Sequence, residues 1–210
     1  MDWAVLWQFR AALLQGLVDT LAISALAIVF SFVLGTIIGC LRLLESPLLK
    51  EIIGAYIEVM RNMPVIVQVF FLFDVVGLDA FSSGLISLTL HQSGYIADVI
   101  ASGFRSVPAE QSESGYAQGL TRYRVFMFVL LPQVARIVMA PMTNQFVEVV
   151  KNSAVVMFIG VQELTYQTQQ IALETLRGLE AATAATVLYV AVTISIVGGM
   201  SLLGQRLRWP

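Results

Sequence analysis

VPAEQSESGYAQGLTRYRVFMFVLLP, residues 107–132, decides how this chain folds. It separates two strongly apolar regions and cannot itself sit in lipid. It carries Glu110, Glu113, Arg122 and Arg124 among Gln111, Ser112, Gln118 and Thr121. It nevertheless reads as two short helices. Pro108 suits a first helical turn, Gly119 a helix end, and Thr121 the cap of a second helix running through Val125, Phe126, Val129 and Leu130 up to Pro132. A charged helical hairpin slung between membrane helices has the shape of a docking element.

Composition agrees. Of 210 residues, 58% are hydrophobic and 12% charged, with a mean hydropathy of +0.81. That leaves too few polar groups to cover a globule and predicts an all-α integral membrane protein, a single domain over residues 1–210. The net charge of -2 gives no reason to expect nucleic acid. Cys40, without a second cysteine, forms no internal disulfide and fills space in an apolar run. The first apolar segment is far longer than a signal-peptide core and lacks a basic flank, so it is expected to remain as a helix.

About five spans follow. Residues 21–41 are uncharged and long enough to cross; Gly35 and Gly39, four apart, would let another helix approach closely. Residues 63–73 are too short alone, so the second span must extend back through Arg61 and Glu58, which can pair three apart, with a kink at Pro64. The third, residues 80–104, holds His91, Gln92 and Asp98. With no second His and no Cys partner, His91 reads as a hydrogen-bonded packing group and not a metal ligand. The fourth begins near Gln133. In it Asn144, Glu148 and Asn152 recur at i, i+4 and i+8 on one stripe. A charge in mid-bilayer costs on the order of 3 kcal/mol, so this stripe should face an aqueous cavity or a partner. The alternative is that Glu148 and Lys151 merely neutralise one another at an interface. Residues 161–180, with Glu163, Glu174, Arg177 and Glu180, read as an exposed, partly helical connection, and 181–204 as the fifth span.

If the loop after the first span is cytoplasmic, that side collects Arg42, Lys50, Arg105, Arg122, Arg124, Arg136, Arg206 and Arg208, against Arg10 and Arg177 outside. The positive-inside bias therefore puts the hairpin and C-terminus in the cytoplasm and the N-terminus outside.

The hairpin also carries a resemblance. Glu113-Ser114-Gly115, then Gly119, then Val129-Leu130-Leu131-Pro132, is similar in spacing to the E-A-A-x-x-x-G-x(9)-I-x-L-P loop of the permease subunits of bacterial ABC importers, with Ser114 and Gly115 in place of the alanines and Val129 in place of the isoleucine. YIEVMRNMP at 56–64, VPAEQ at 107–111, LPQ at 131–133, Asn144-Gln145-Phe146 and Lys151-Asn152-Ser153 resemble the polar amino acid branch of that family, in the family's order. Tyr95-Ile96-Ala97-Asp98 resembles its A-Y-x-A-E segment with Asp98 in place of Glu.

The resemblance implies the type I ABC importer fold in the bacterial cytoplasmic membrane. It implies a second permease subunit, identical or paralogous, a dimer of ATP-binding cassette subunits below, an extracytoplasmic solute-binding protein and an amino acid substrate. It makes residues 107–132 the coupling helices, with Glu113, Gly119, Leu120, Thr121 and Tyr123 touching the ATPase. No GxxxxGK[ST] phosphate loop occurs in the chain, so ATP is expected on the partner, with no cofactor or catalytic residue here. Asn144, Glu148 and Asn152 are candidate substrate-pathway residues, and Glu58 and Arg61 stand near a candidate gate. The rival reading is an ion-coupled secondary transporter using Asp98, His91 and Glu148. Inverted repeats would be expected in many such proteins, and no convincing internal repeat is found.

Overall fold

The computed structural model describes residues 3–44 and 46–206, and within them the chain is helical throughout. In chain order the helices are α1 (Ala4–Gln8), α2 (Arg10–Leu41), α3 (Pro47–Asn62), α4 (Val65–Phe70), α5 (Ala80–Arg105), α6 (Ala109–Ala117), α7 (Arg122–Val125), α8 (Leu131–Ile137), α9 (Met139–Ser153), α10 (Leu164–Thr175) and α11 (Gly178–Arg206). Wide π-helical turns extend α4 over Phe71–Val75 and join α7 to α8 over Phe126–Leu130; a 3₁₀ segment, Ala154–Ile159, continues α9.

Among the described residues two helices, α2 and α11, are long and apolar enough to cross a membrane, and two bent pairs, Pro47–Asn62 with Val65–Val75 and Arg122–Ile137 with Met139–Ile159, pass together. Helix α5 has the length, 26 residues or about 39 Å at 1.5 Å per residue, but is more polar. Its position explains this. It lies at the centre, against α2, α3, α4 and α9, and buries Ser83, Ser87, Gln92 and Ser93 where lipid does not reach.

The α2/α5 contact is made by the absence of side chains. A Cβ on Gly35 would stand 2.7 Å from Ile96 and 2.8 Å from the Ser93 carbonyl, and one on Gly39 2.8 Å from the Ala97 carbonyl. The two glycines thus do let another helix in, and that helix is α5. Ile23, Ala27, Leu88, Val149 and Val156 form the core beside the contact. Outward, α11 exposes Val187, Val190, Ile194 and Leu202, the surface expected toward lipid.

Several expected boundaries are corrected. The first span begins at Arg10, well before residue 21. The second is not one kinked helix: α3 and α4 meet at 100°. Met63 is extended, as a residue before proline prefers, so α3 stops at Asn62. The Gln68 amide then donates to the freed Met60 and Met63 carbonyls at 3.4 and 3.3 Å. Glu58 does not pair with Arg61, which is bound to Asp98 instead.

Pro132 does not end the hairpin's second helix. The π turn lets the Leu131 N–H reach back to the Phe126 carbonyl, widening the helix where the proline ring would meet the preceding turn. The helix therefore runs from Arg122 to Ile137 and bends by 54° into α9. Residues 161–180 are not an exposed connection either. They hold α10, whose Leu164 and Ile171 are buried with Leu13, Ala181 and Ala185, and Glu163 and Glu180 are 0% and 4% exposed. Arg208, counted above in the cytoplasmic charge, lies outside the described residues.

Overpacking a close helix contact costs about 1–3 kcal/mol. Gly35→Val should therefore lower the thermal unfolding midpoint of the purified protein in detergent. Gly198→Val, at a position with nothing within 4 Å, should leave it nearly unchanged. Equal shifts for the two would show that the contact is not what holds the core.

Candidate functional site

The hairpin is held by its own backbone. At the end of α6 the Gly119 N–H donates to the Tyr116 carbonyl at 2.9 Å and the Leu120 N–H to the Gly115 carbonyl at 3.1 Å, the paired closure of a Schellman motif. Gly119 adopts φ +82°, where a side chain would be strained. Thr121 accepts from the Arg124 N–H at 3.4 Å and starts α7. The two arms touch at Gly115, where a Cβ would lie 2.9 Å from buried Val125. Behind them Val107 packs with Val134 and Val138. Glu113, Gly119, Thr121 and Tyr123 are exposed at and around the tip, Tyr123 at 69%, while Leu120 is half-buried.

A polar cavity of about 370 Å³ opens between α5 and α9, lined by His91, Gln92, Tyr95, Gln145, Glu148 and Asn152. Gln92 donates to the Gln145 amide oxygen at 2.6 Å. His91 Nδ1 lies 3.3 Å from the Gln68 amide nitrogen, and its ring leans on Tyr95 at 5.4 Å. Lys151 and Glu148 pair at 2.8 Å with both side chains about half exposed. The cavity thus presents amides around the Glu148 carboxylate, whose partner Lys151 stands outside the lining.

The Asn144, Glu148, Asn152 stripe is divided by its own drift, since each step of four residues turns the helix by about 40°. Glu148 and Asn152 face the cavity. Asn144 faces a second opening of about 630 Å³ with Arg136, Thr143, Ser201 and Gln205, toward α11. Arg61 lies at the edge of the first: its guanidinium sits 5.1 Å over the Tyr95 ring and Tyr95 donates to the Arg61 carbonyl at 3.1 Å. Glu58 is exposed on α3 and lines neither.

Three features escaped the sequence reading. Asp98 accepts from Arg61 at 2.9 Å and from Arg42 at 3.0 Å, so one carboxylate ties the ends of α2 and α3 to α5. These groups are a third or so exposed, and each pair is worth at most about 1 kcal/mol. Gln92 and Gln145 are paired across helices 53 residues apart. Glu163 caps α10 from inside the protein, accepting from the Thr165 and Tyr166 N–H groups at 2.9 and 2.8 Å and from the Tyr189 hydroxyl at 2.7 Å. Thr20 lies 3.4 Å from the same carboxylate. Neither Glu163's capping nor its burial was signalled, since Glu is not among the residues that ordinarily cap a helix. Among the described residues no three His, Cys, Asp or Glu side chains converge to hold a metal.

The family described as binding-protein-dependent transport system inner membrane component matches residues 8–209. The chain is 31% identical to the probable glutamine ABC transporter permease protein GlnM of Bacillus subtilis over 213 residues, 99% of each chain. It is 29% identical to the glutamine transport system permease protein GlnP of Escherichia coli K12 over 214 residues, 99% of this chain and 98% of that one. A chain from the crystal structure of an amino acid ABC transporter with histidines superposes with a TM-score of 0.91 at 26% identity, covering 98% of this chain and 99% of that one.

Glu163 offers a test of the packing. Burial raises its carboxyl above the ordinary 4.5, against the N–H donors of Thr165 and Tyr166 and the Tyr189 hydroxyl, which act in the other direction. A raised carboxyl binds more protons folded than unfolded, so its contribution is full below 4.5 and is lost as the pH rises through the folded value. The melting temperature of the wild type should fall across that window, while that of Glu163→Gln should change less. Parallel pH profiles would remove Glu163 from the account.

Proposed function

This chain belongs to the binding-protein-dependent transport inner membrane component family and is the permease subunit of an amino acid ABC importer; on that premise we propose that it forms the pathway for a polar amino acid and is driven through residues 107–132 by a separate ATPase. The observation that carries the coupling is the hairpin itself: exposed at its tip, closed by Gly119 and locked at Gly115 against Val125. A dimer of ATP-binding cassette subunits grips it in the cytoplasm. A second permease subunit, identical or paralogous, completes the conduit, and an extracytoplasmic solute-binding protein delivers the substrate. The N-terminus lies outside and the C-terminus inside, as the basic residues favour. Glu113, Gly119, Leu120, Thr121 and Tyr123 form the ATPase contact, with Leu120 bracing the tip from within. ATP hydrolysis belongs to the partner, and this chain catalyses nothing.

Glu148, Lys151 and Asn152 carry the substrate reading, with Gln92 and Gln145 beside them. The Glu148 carboxylate matches a substrate ammonium and Lys151 its carboxylate, while the amides suit an uncharged polar side chain. The pair's near neutrality disfavours a substrate with a net charge of either sign. Asn144 serves the neighbouring opening toward α11. Arg61, reaching the cavity wall through Tyr95, is the gate residue, and Glu58 contributes through α3 alone. ATPase closure draws the hairpins together and turns the cavity outward; hydrolysis turns it back.

Gly119→Arg should give a membrane-inserted chain that no longer co-purifies with its ATPase; retained co-purification would remove the tip from the contact. In energised vesicles, amino acids with amide side chains should outcompete aspartate and lysine. Glu148→Gln should raise the apparent KM by about tenfold, the loss of one charge-assisted hydrogen bond. Uptake that is unchanged in Glu148→Gln rejects the site, and uptake that survives ATP depletion rejects the importer.

A further inference from the structure

Where the ends of α2 and α5 meet the start of α3, Arg42, Lys50 and Arg105 surround an open notch of about 410 Å³, lined among the described residues by these three and Leu43. We propose that this notch holds the phosphate headgroup of an anionic phospholipid, with the acyl chains lying on the aliphatic residues beside it. The proposal depends on the chain's place in a membrane and not on what it transports.

Among the described residues the positive charge at the notch exceeds the negative. Asp98 is shared between Arg42 and Arg61, so one carboxylate balances only one of two guanidinium groups. Among the described residues Lys50 and Arg105 have no carboxylate within ion-pair distance; Arg105 donates only to the Ser102 hydroxyl, at 2.8 Å. The acidic residues of α3, Glu51 and Glu58, do not line the notch. Three donors facing one opening fit a phosphodiester, which accepts charge-assisted bonds from several directions.

Depth and surroundings select a lipid over a soluble anion. Arg42 directly follows the 32 residues of α2, and Arg105 ends α5, so the cations stand where the apolar part of each helix gives out and headgroups begin. At the end of α2, on the connection and on α3, Leu41, Leu44, Leu48 and Ile52 are 38%, 51%, 68% and 57% exposed. Aliphatic surface next to paired cations matches a molecule that is anionic at one end and hydrocarbon at the other. The volume accommodates a phosphoglycerol group, being within the range of small-ligand sites.

The test uses the assembly purified in detergent through a tag on this chain, stripped of lipid, and titrated with phosphatidylglycerol or phosphatidylcholine under native mass spectrometry. Phosphatidylglycerol should be retained in preference. Lys50→Gln and Arg105→Gln should each weaken it about fivefold, and the double substitution roughly twenty-five-fold. Phosphatidylcholine retention should not change, and Lys50→Arg with Arg105→Lys should bind as the wild type does. The proposal is overturned if phosphatidylcholine is held equally well, or if the double variant holds phosphatidylglycerol like the wild type. It is also overturned if glycerol 1-phosphate displaces the lipid at equal concentration, which would make this a free-anion site. Loss of the ATPase subunit with lipid retention intact would make the notch a protein contact instead.

Discussion

The close approach of α2 to α5 is the contact on which the rest of the structure depends. In lipid, apolar side chains gain little by leaving their surroundings, so helices associate through close packing and polar contacts between them. Gly35 and Gly39 bring the α2 backbone onto Ile96, Ala97 and Ile100, and α5 thereby becomes an interior helix. Once inside, it can carry Ser83, Ser87, Gln92 and Ser93, which a lipid-facing helix could not bury. The polar cavity follows from this, because one of its walls is α5.

A second constraint is that backbone groups freed at a helix break need partners within the protein. Three places here show such a partner. Gln68 serves the end of α3; the Gln133 amide reaches the Val129 carbonyl at 2.7 Å beside the π turn; Glu163 serves the start of α10. Polar residues that look out of place in an apolar chain are therefore of two kinds. Some complete a broken backbone, and others, such as Glu148 and Asn152, open on water-sized space.

This distinction marks how far the sequence could be read. The hairpin, its Gly119 turn and its Thr121 cap were legible because turn chemistry is local, and α5 was placed within a residue because its ends coincide with loop residues. The breaks were not. A proline signals a disturbance but not its angle: Pro64 accompanies a turn of 100°, whereas Pro132 is absorbed by a π turn and passes almost unnoticed. Acidic content predicts exposure for residues 161–180, yet Glu163 and Glu180 are buried. Glu163 is tolerated inside only because three donors from two helices surround it, and no spacing in the sequence announces Tyr189. Likewise Asp98 was noticed, but its partners Arg42 and Arg61 lie 56 and 37 residues away.

The continuity through Pro132 bears on how motion at the hairpin could reach the cavity. Had the second arm ended there, a push on Tyr123 would be spent in a flexible joint. Instead the arm is one helix from Arg122 to Ile137, clamped near its start by Val125 on Gly115 and near its end by Val134 and Val138 on α5 at Gly103. The only bend before Glu148 is at Val138, and it is packed against α5. In the proposed function a displacement of the tip is therefore delivered to α9, which carries Glu148 and Asn152, across the fixed surface of α5, which carries Gln92 and Tyr95. In that proposal one wall of the cavity moves with the hairpin and the other stays with α5, so movement between them changes its shape.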